Sequence, residues 1–180
     1  MINYFKLLQQ VLIKKDVAYN FGTNEMWNEF QNKEGIVFPQ DYKSIINYYG
    51  TGGIGNFLWI LTPFELDKNV NYKYRMNMIL EAYIESKNKF PNDFQYEVFP
   101  NKNGLLPWGY TDNGDELFWK MKGNVNNWEI IVYESRSPIF YSYKMGLAEF
   151  LFKLISNEIK CDIFPEGILE QRMEYTAVKI

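Results

Sequence analysis

Histidine is absent from all 180 residues, and cysteine occurs once, at Cys161. Without histidine the chain lacks the usual base for a serine or cysteine nucleophile and the commonest zinc ligand. Serine-hydrolase, cysteine-protease and ordinary zinc chemistry are thereby excluded. A single cysteine allows no internal disulfide and gives no sign of an oxidising compartment, so Cys161 reads as a buried packing residue. No apolar run approaches the roughly 20 residues needed to cross a bilayer. The amphipathic N-terminus, MINYFKLLQQVLIKKD, carries its lysines after the apolar part, unlike a signal peptide. The expectation is a cytoplasmic protein. There is no excess of positive charge either: a formal charge of −3 argues against direct nucleic-acid binding, which depends on a basic field. Internal repeats and low-complexity linkers are also missing.

Aromatic side chains, by contrast, are abundant, at 18% of the chain with 14 tyrosines. They fit an aromatic-rich core or a binding surface equally well. The length suits one domain spanning residues 1–180, which buries about 70% of the surface of its unfolded form. Charge is uneven. Lys68 to Phe90 carries five cations against two acids, net +3, and Asp93 to Glu134 seven acids against three lysines, net −4. An acidic sheet region of this kind suits a basic partner.

The organising stretch is LLPWGYTDNGDELFW, Leu105 to Trp119. Two apolar runs flank Asn113-Gly114, which predicts a central β-hairpin with a tight primed turn, both turn residues at positive φ. Ahead of it, Tyr4, Phe5, Leu8, Val11 and Leu12 have helical spacing. Thr23 caps a second helix with Met26, Trp27 and Phe30 on one side and Gly35 at its end. Pro39 suits the first turn of a third helix whose apolar face is Tyr42, Ile45, Ile46 and Tyr49, stopped by Gly50. Gly50, Gly52 and Gly55 formally match G-x-G-x-x-G, but the order is helix then strand, opposite to a dinucleotide site, so Gly52 and Gly53 read as a turn and no cofactor is expected. Phe57 to Leu61 reads as a strand, and Tyr72 to Ile84 as a helix with Arg75, Glu81, Glu85 and Lys87 toward water. Phe94, Tyr96 and Val98 alternate as a strand does. Strands are predicted again at Trp128 to Tyr133 and Ile139 to Tyr143, with a turn at Ser135 to Pro138 between them and a closing helix around Leu147 to Ile155. The tail from Lys160 to Ile180 has no assignable pattern.

Acid–base work in such a chain falls to carboxylates, and Asp112, Asp115, Glu116, Glu129 and Glu134 are the candidates. Pairs on neighbouring strands suit the spacing of glycoside hydrolysis, yet any acidic sheet offers them. Asp112-Asn113-Gly114-Asp115 resembles the start of a calcium loop, but the twelfth position holds Gly123 where glutamate is needed. Partner recognition and turn chemistry account for these acids better than catalysis or a metal.

Four motifs in order resemble one family, the SMI1/KNR4 (SUKH) superfamily: FPQDYKSIINYYGTGGIG, LLPWGYTDNGDELFWKM, WEIIVYE and YKMGLAEFLFKLI. Pro39, Tyr42, Tyr49, Gly52, Gly53, Trp108, Gly109, Asp112, Gly114, Asp115 and Trp119 fall at matching places. The resemblance covers Thr23 to Glu158 and leaves the first helix, the Tyr72 to Phe90 helix and the tail off the family pattern. It implies an α+β domain, a mostly antiparallel sheet of about five or six strands packed by helices, in which the matched residues mostly serve the fold. It also implies a bacterial immunity protein, which binds and neutralises a toxin domain, often a nuclease, without catalysis. On that reading Asp112, Asp115, Glu116, Glu129 and Glu134 supply charge, while Tyr110 and Tyr133 anchor the partner. A regulatory scaffold domain without a toxin partner is the alternative, and a carboxylate enzyme a remote one.

Overall fold

Asn3 accepts a hydrogen bond from the Lys6 amide at 3.1 Å and starts helix α1 (Tyr4–Val11). The computed structural model describes residues 2–134, 137–169 and 173–178. Leu12, expected at the end of this helix, instead opens strand β1 (Leu12–Lys14). Tertiary partners override the helical spacing there, because the Tyr49 hydroxyl donates to the Leu12 carbonyl at 2.9 Å. Thr23 caps α2 (Asn24–Glu34) and Gly35 closes it; Trp27 is buried, whereas Met26, expected beside it, is exposed. Pro39 is the N-cap of α3 (Gln40–Tyr49), and Tyr42, Ile45, Ile46 and Tyr49 are all buried.

The glycines after α3 form a strand and not the expected turn. β2 (Gly52–Ile54) pairs antiparallel with β3 (Leu58–Ile60). Helix α4 (Tyr72–Lys89) follows, capped by Asn71. Ile84 lies on its outer side, 44% exposed, off the apolar stripe predicted for it. The segment Phe94 to Val98 is not a strand: only Val98 bridges to Leu105. Lys87 Nζ donates to the Tyr96 carbonyl at 2.7 Å, so a side chain satisfies backbone that a ladder would otherwise engage, and Phe94 packs its ring 5.2 Å from Tyr83.

The hairpin strands are β4 (Leu105–Thr111) and β5 (Glu116–Lys120), followed by β6 (Glu129–Tyr133), β7 (Phe140–Tyr143), α5 (Leu147–Ile155) and β8 (Met173–Ala177). Of the turn expected at Ser135 to Pro138, Ser135 and Arg136 lie outside the described residues; the Ser137 amide donates to the Glu134 carbonyl. Strand order is β1-β8-β2-β3-β4-β5-β6-β7. Every neighbouring pair is antiparallel apart from β1 with β8. The fold is α+β, with eight strands where five or six were expected: β1, β2 and β8 are gained and the Phe94 segment is lost.

Helices cover both faces of this sheet. On one, Tyr42 of α3 meets Trp119 at 5.0 Å and Phe150 of α5 meets Trp108 at 6.3 Å. On the other, Tyr83 of α4 lies 6.1 Å from Phe118. Buried tyrosine hydroxyls tie the layers together. Tyr42 donates to the Leu61 carbonyl at 2.6 Å, Tyr72 to Pro107 at 2.8 Å and Tyr175 to Gly50 at 2.8 Å. Burial pushes all three phenols above their ordinary range. Asp41 joins α3 to α5: its Oδ2 accepts from the Ala148 amide at 3.0 Å, in the first turn of α5. Among the described residues no helix is long and apolar enough to cross a membrane.

Candidate functional site

The hairpin turn differs from the expected primed turn in one residue. Gly114 has φ +87° while Asn113 keeps negative φ. The Gly114 amide donates to the Thr111 carbonyl at 2.9 Å, and the Thr111 amide to the Asp115 carbonyl at 2.9 Å. The loop is therefore three residues wide, Asp112 to Gly114, with glycine at its left-handed position. Thr111 explains the wider loop. Its Oγ1 donates to Asp115 Oδ2 at 2.6 Å and accepts from the Asp115 amide at 3.1 Å, which turns Asp115 inward.

Cross-strand register then builds a row on the α4 side of the sheet. Thr176, Gly53, Trp59, Tyr110, Glu116, Tyr133 and Phe140 are successive partners across seven strands. Partners in register share a face. Three of the seven proposed contact residues, Tyr110, Glu116 and Tyr133, are thus direct neighbours. Trp59 and Gly53 belong beside them. Reading Gly53 as a turn hid this pairing, and Trp59 passed as one more apolar strand residue.

Exposure varies along the row. Thr176, Trp59, Tyr110, Glu116 and Phe140 keep partial exposure, whereas Gly53 and Tyr133 are buried, the Tyr133 ring stacked 4.8 Å from Phe140 and 6.0 Å from Tyr83. Arg75, expected in water, has its guanidinium 4.1 Å over the Tyr110 ring. Burial pushes the Glu116 carboxyl up to about 8; Arg75 pulls it down and Asp115 adds to the rise. The Tyr133 phenol is pushed up to about 12, by burial first and by Glu116 second.

Glu116 thereby gives folding a pH dependence. Its folded pKa lies above the ordinary 4.5, so its favourable contribution is complete below that value and is lost as pH rises through about 8. The full interval corresponds to roughly 5 kcal/mol for a dry carboxyl, and partial solvent contact reduces this to about 2 kcal/mol. Glu116→Gln is expected to flatten the dependence between pH 5 and 9 by that amount, read from urea midpoints across the range. A variant whose stability tracks the native protein at every pH contradicts this assignment.

The remaining predicted contacts do not form one patch. Asp112 is exposed at the hairpin tip and its Oδ1 accepts from Trp59 Nε1 at 2.6 Å. Glu129 stands four residues from Tyr133, roughly 13 Å along β6, facing Lys120 across the strands. Glu134 accepts a hydrogen bond from the Ser137 hydroxyl in the turn after β6. Two of the seven are corrected outright as surface contacts: Asp115 is held inward by Thr111, and Tyr133 is sealed by Phe140 and α4. The residues matched to the family are mainly interior, with Tyr42, Tyr49, Trp108 and Trp119 all buried. A cleft of about 330 Å³ lies elsewhere, between α5 and the tail, lined by residues including Leu154, Cys161, Phe164 and Leu169. Burial pushes the Cys161 thiol up, as suits a packing residue. Among the described residues no group of three or more His, Cys, Asp or Glu side chains is placed to hold a metal ion.

The sequence model of a family described as SMI1-KNR4 cell-wall matches residues 24–151, from α2 into α5. No curated protein and no solved structure matches the chain.

Proposed function

Because the chain belongs to the SMI1/KNR4 (SUKH) family, we propose that it is a non-catalytic immunity protein that binds a cognate toxin domain and blocks its active surface. Family membership carries this reading, and the surface chemistry agrees with it. The partly exposed part of the cross-strand row presents Trp59 and Tyr110 beside the exposed carboxylate of Asp112, aromatic rings next to an acid. Nuclease toxins are basic where they hold phosphate, so such a face offers both anchoring area and electrostatic steering. The protein works in the cytoplasm, beside the substrate of the toxin, and has no need of a cofactor or of direct contact with nucleic acid. Its occlusion of the toxin is stoichiometric.

Co-expression tests this reading. A toxin domain encoded beside this protein is expected to kill or arrest cells alone and to be harmless when the protein is present. Continued toxicity, with both proteins confirmed at comparable levels, sinks the proposal and favours a regulatory scaffold role.

A further inference from the structure

The sheet ends in two edges of different character. β1 is three residues long, carries Lys14 and is followed by Lys15, the brief and charged kind of edge that resists pairing with another chain. β7 closes the opposite side without that protection. Its residues, Phe140-Tyr141-Ser142-Tyr143, include no charge and no proline, and its pairing with β6 is unbroken by a bulge. Ile139, just ahead of it, is 45% exposed.

The phase of the β6–β7 ladder decides which backbone groups face out. The Glu134 amide donates to the Ile139 carbonyl at 3.1 Å, so Ile139, Tyr141 and Tyr143 turn their N–H and C=O groups toward β6, while Phe140 and Ser142 turn theirs to the open side. Among the described residues none of these four outward groups has a hydrogen-bond partner. Side chains hold the strand in place on both faces. The Phe140 ring sits 4.8 Å from Tyr133 and 5.3 Å from Tyr96, and the Tyr143 hydroxyl donates to the Lys160 carbonyl at 3.0 Å. A strand held this way loses little further freedom when another strand joins it.

We propose that β7 pairs antiparallel with β7 of a second copy of this chain, about a two-fold axis at Tyr141, so that two eight-stranded sheets join into one. In this register Phe140 stands opposite Ser142 of the second copy, and Ser142 opposite its Phe140. The two pairs exchange four hydrogen bonds, which engages every outward group of both strands. Side chains are complementary in the same register: the bulky Phe140 ring meets the small Ser142, exposed Ile139 is covered by Tyr143 of the second copy, and the two Tyr141 side chains meet at the axis. A slip toward the turn instead sets Phe140 against Phe140 and Ser142 against Pro138, which has no amide to give. Residues 139–143 carry no charge, so no like charges are brought together within the pair. β5 and β6 separate this edge from Trp59 and Tyr110, so the dimer leaves that face open and stands whether or not the partner proposed above is a toxin.

Light scattering on the full chain is the first test. The mass is expected to rise from 21.5 kDa toward twice that value as concentration increases, and a mass that stays at one chain up to about 200 µM overturns the proposal. Tyr141→Lys and Tyr141→Glu each set two like charges face to face across the axis, and each alone is expected to self-associate at least about fivefold more weakly. Mixed in equal amounts they are expected to recover the dimer, which two misfolded variants cannot do; far-ultraviolet dichroism checks that each folds. Tyr141→Cys reads the register. Residues facing each other in such a pair have Cα atoms about 4.5 Å apart, within disulfide reach, so mild oxidation is expected to give a covalent dimer. Ile139→Cys, roughly 13 Å from its own copy in this register, is expected to give none, and the native Cys161 is buried. A mixture that stays single, or equal cross-linking at 139 and 141, overturns the proposal. A native chain that remains single while Tyr141→Lys loses toxin binding gives the edge to the toxin instead, and also overturns it.

Discussion

A chain ending at Leu169 is expected to lose most of its folding free energy. The deleted strand β8 lies inside the sheet, between β1 and β2. Its loss leaves β1 without a strand partner among the described residues and opens the hydrogen-bonding edge of β2. It also removes Tyr175, which is buried, packs 4.8 Å from Tyr49 and satisfies the Gly50 carbonyl. Burying such a ring contributes roughly 2–3 kcal/mol, and the orphaned carbonyl and lost ladder bring the total to at least about 4 kcal/mol. Domains of this size are stable by about 5–15 kcal/mol, so the truncated chain should show a collapsed urea transition and an exposed, aggregation-prone edge. The family match stops at residue 151, yet the strand beyond it is built into the sheet. A truncated chain whose midpoint stays within about 1 kcal/mol of the native protein contradicts this role for β8.

Trp119→Ala is the largest single-residue effect expected. Trp119 is 1% exposed and its ring lies 5.0 Å from Tyr42, 6.2 Å from Phe38, 6.4 Å from Trp108 and 6.4 Å from Trp128. Among the described residues its Nε1 has no hydrogen-bond partner, so the substitution breaks no polar contact there and the penalty is that of lost burial and the cavity left behind. Rigid aromatic neighbours on several sides cannot collapse into that space, which places the cost at about 3–5 kcal/mol. Trp119→Phe, which refills part of the volume, should recover much of it. Urea unfolding decides the matter: the midpoint should fall with little change in slope. A loss under about 1 kcal/mol would mean that this cluster is not the packed centre of the domain.

These two sites differ in how far the sequence announces them. Trp119 stands in a hairpin whose turn residues and flanking apolar runs identify it without a structure. β8 is five residues, Met173–Ala177, with no alternation strong enough to stand out, and it becomes a strand because β1 and β2 flank it on either side. The same non-local logic hid β2, where two glycines read locally as a turn but serve in the sheet, Gly52 against β8 and Gly53 against the Trp59 ring. Helices α3 and α5 were legible because each buries one stripe at its own periodicity. The Phe94 segment deceives in the opposite direction: it alternates like a strand, yet Lys87 of α4 takes its Tyr96 carbonyl.

At the candidate site, pattern located the acids but not their orientation. Asp112 and Asp115 are three residues apart in one turn, and the Thr111 hydrogen bonds hold the second inward while the first stays exposed. Tyr133 looked like a surface anchor because strand alternation does not reveal that α4 covers that half of the sheet. Arg75, which sits over Tyr110, is indistinguishable in sequence from the other charged residues of its helix.

The measurement that tests the central claim most directly is isothermal titration of this protein with the toxin domain encoded beside it, at low and high salt, with toxin activity followed in the same samples. The account predicts one-to-one binding, loss of activity at equivalence, and affinity that falls as salt screens the acidic face. Absence of binding, or binding that leaves the toxin fully active, would contradict it.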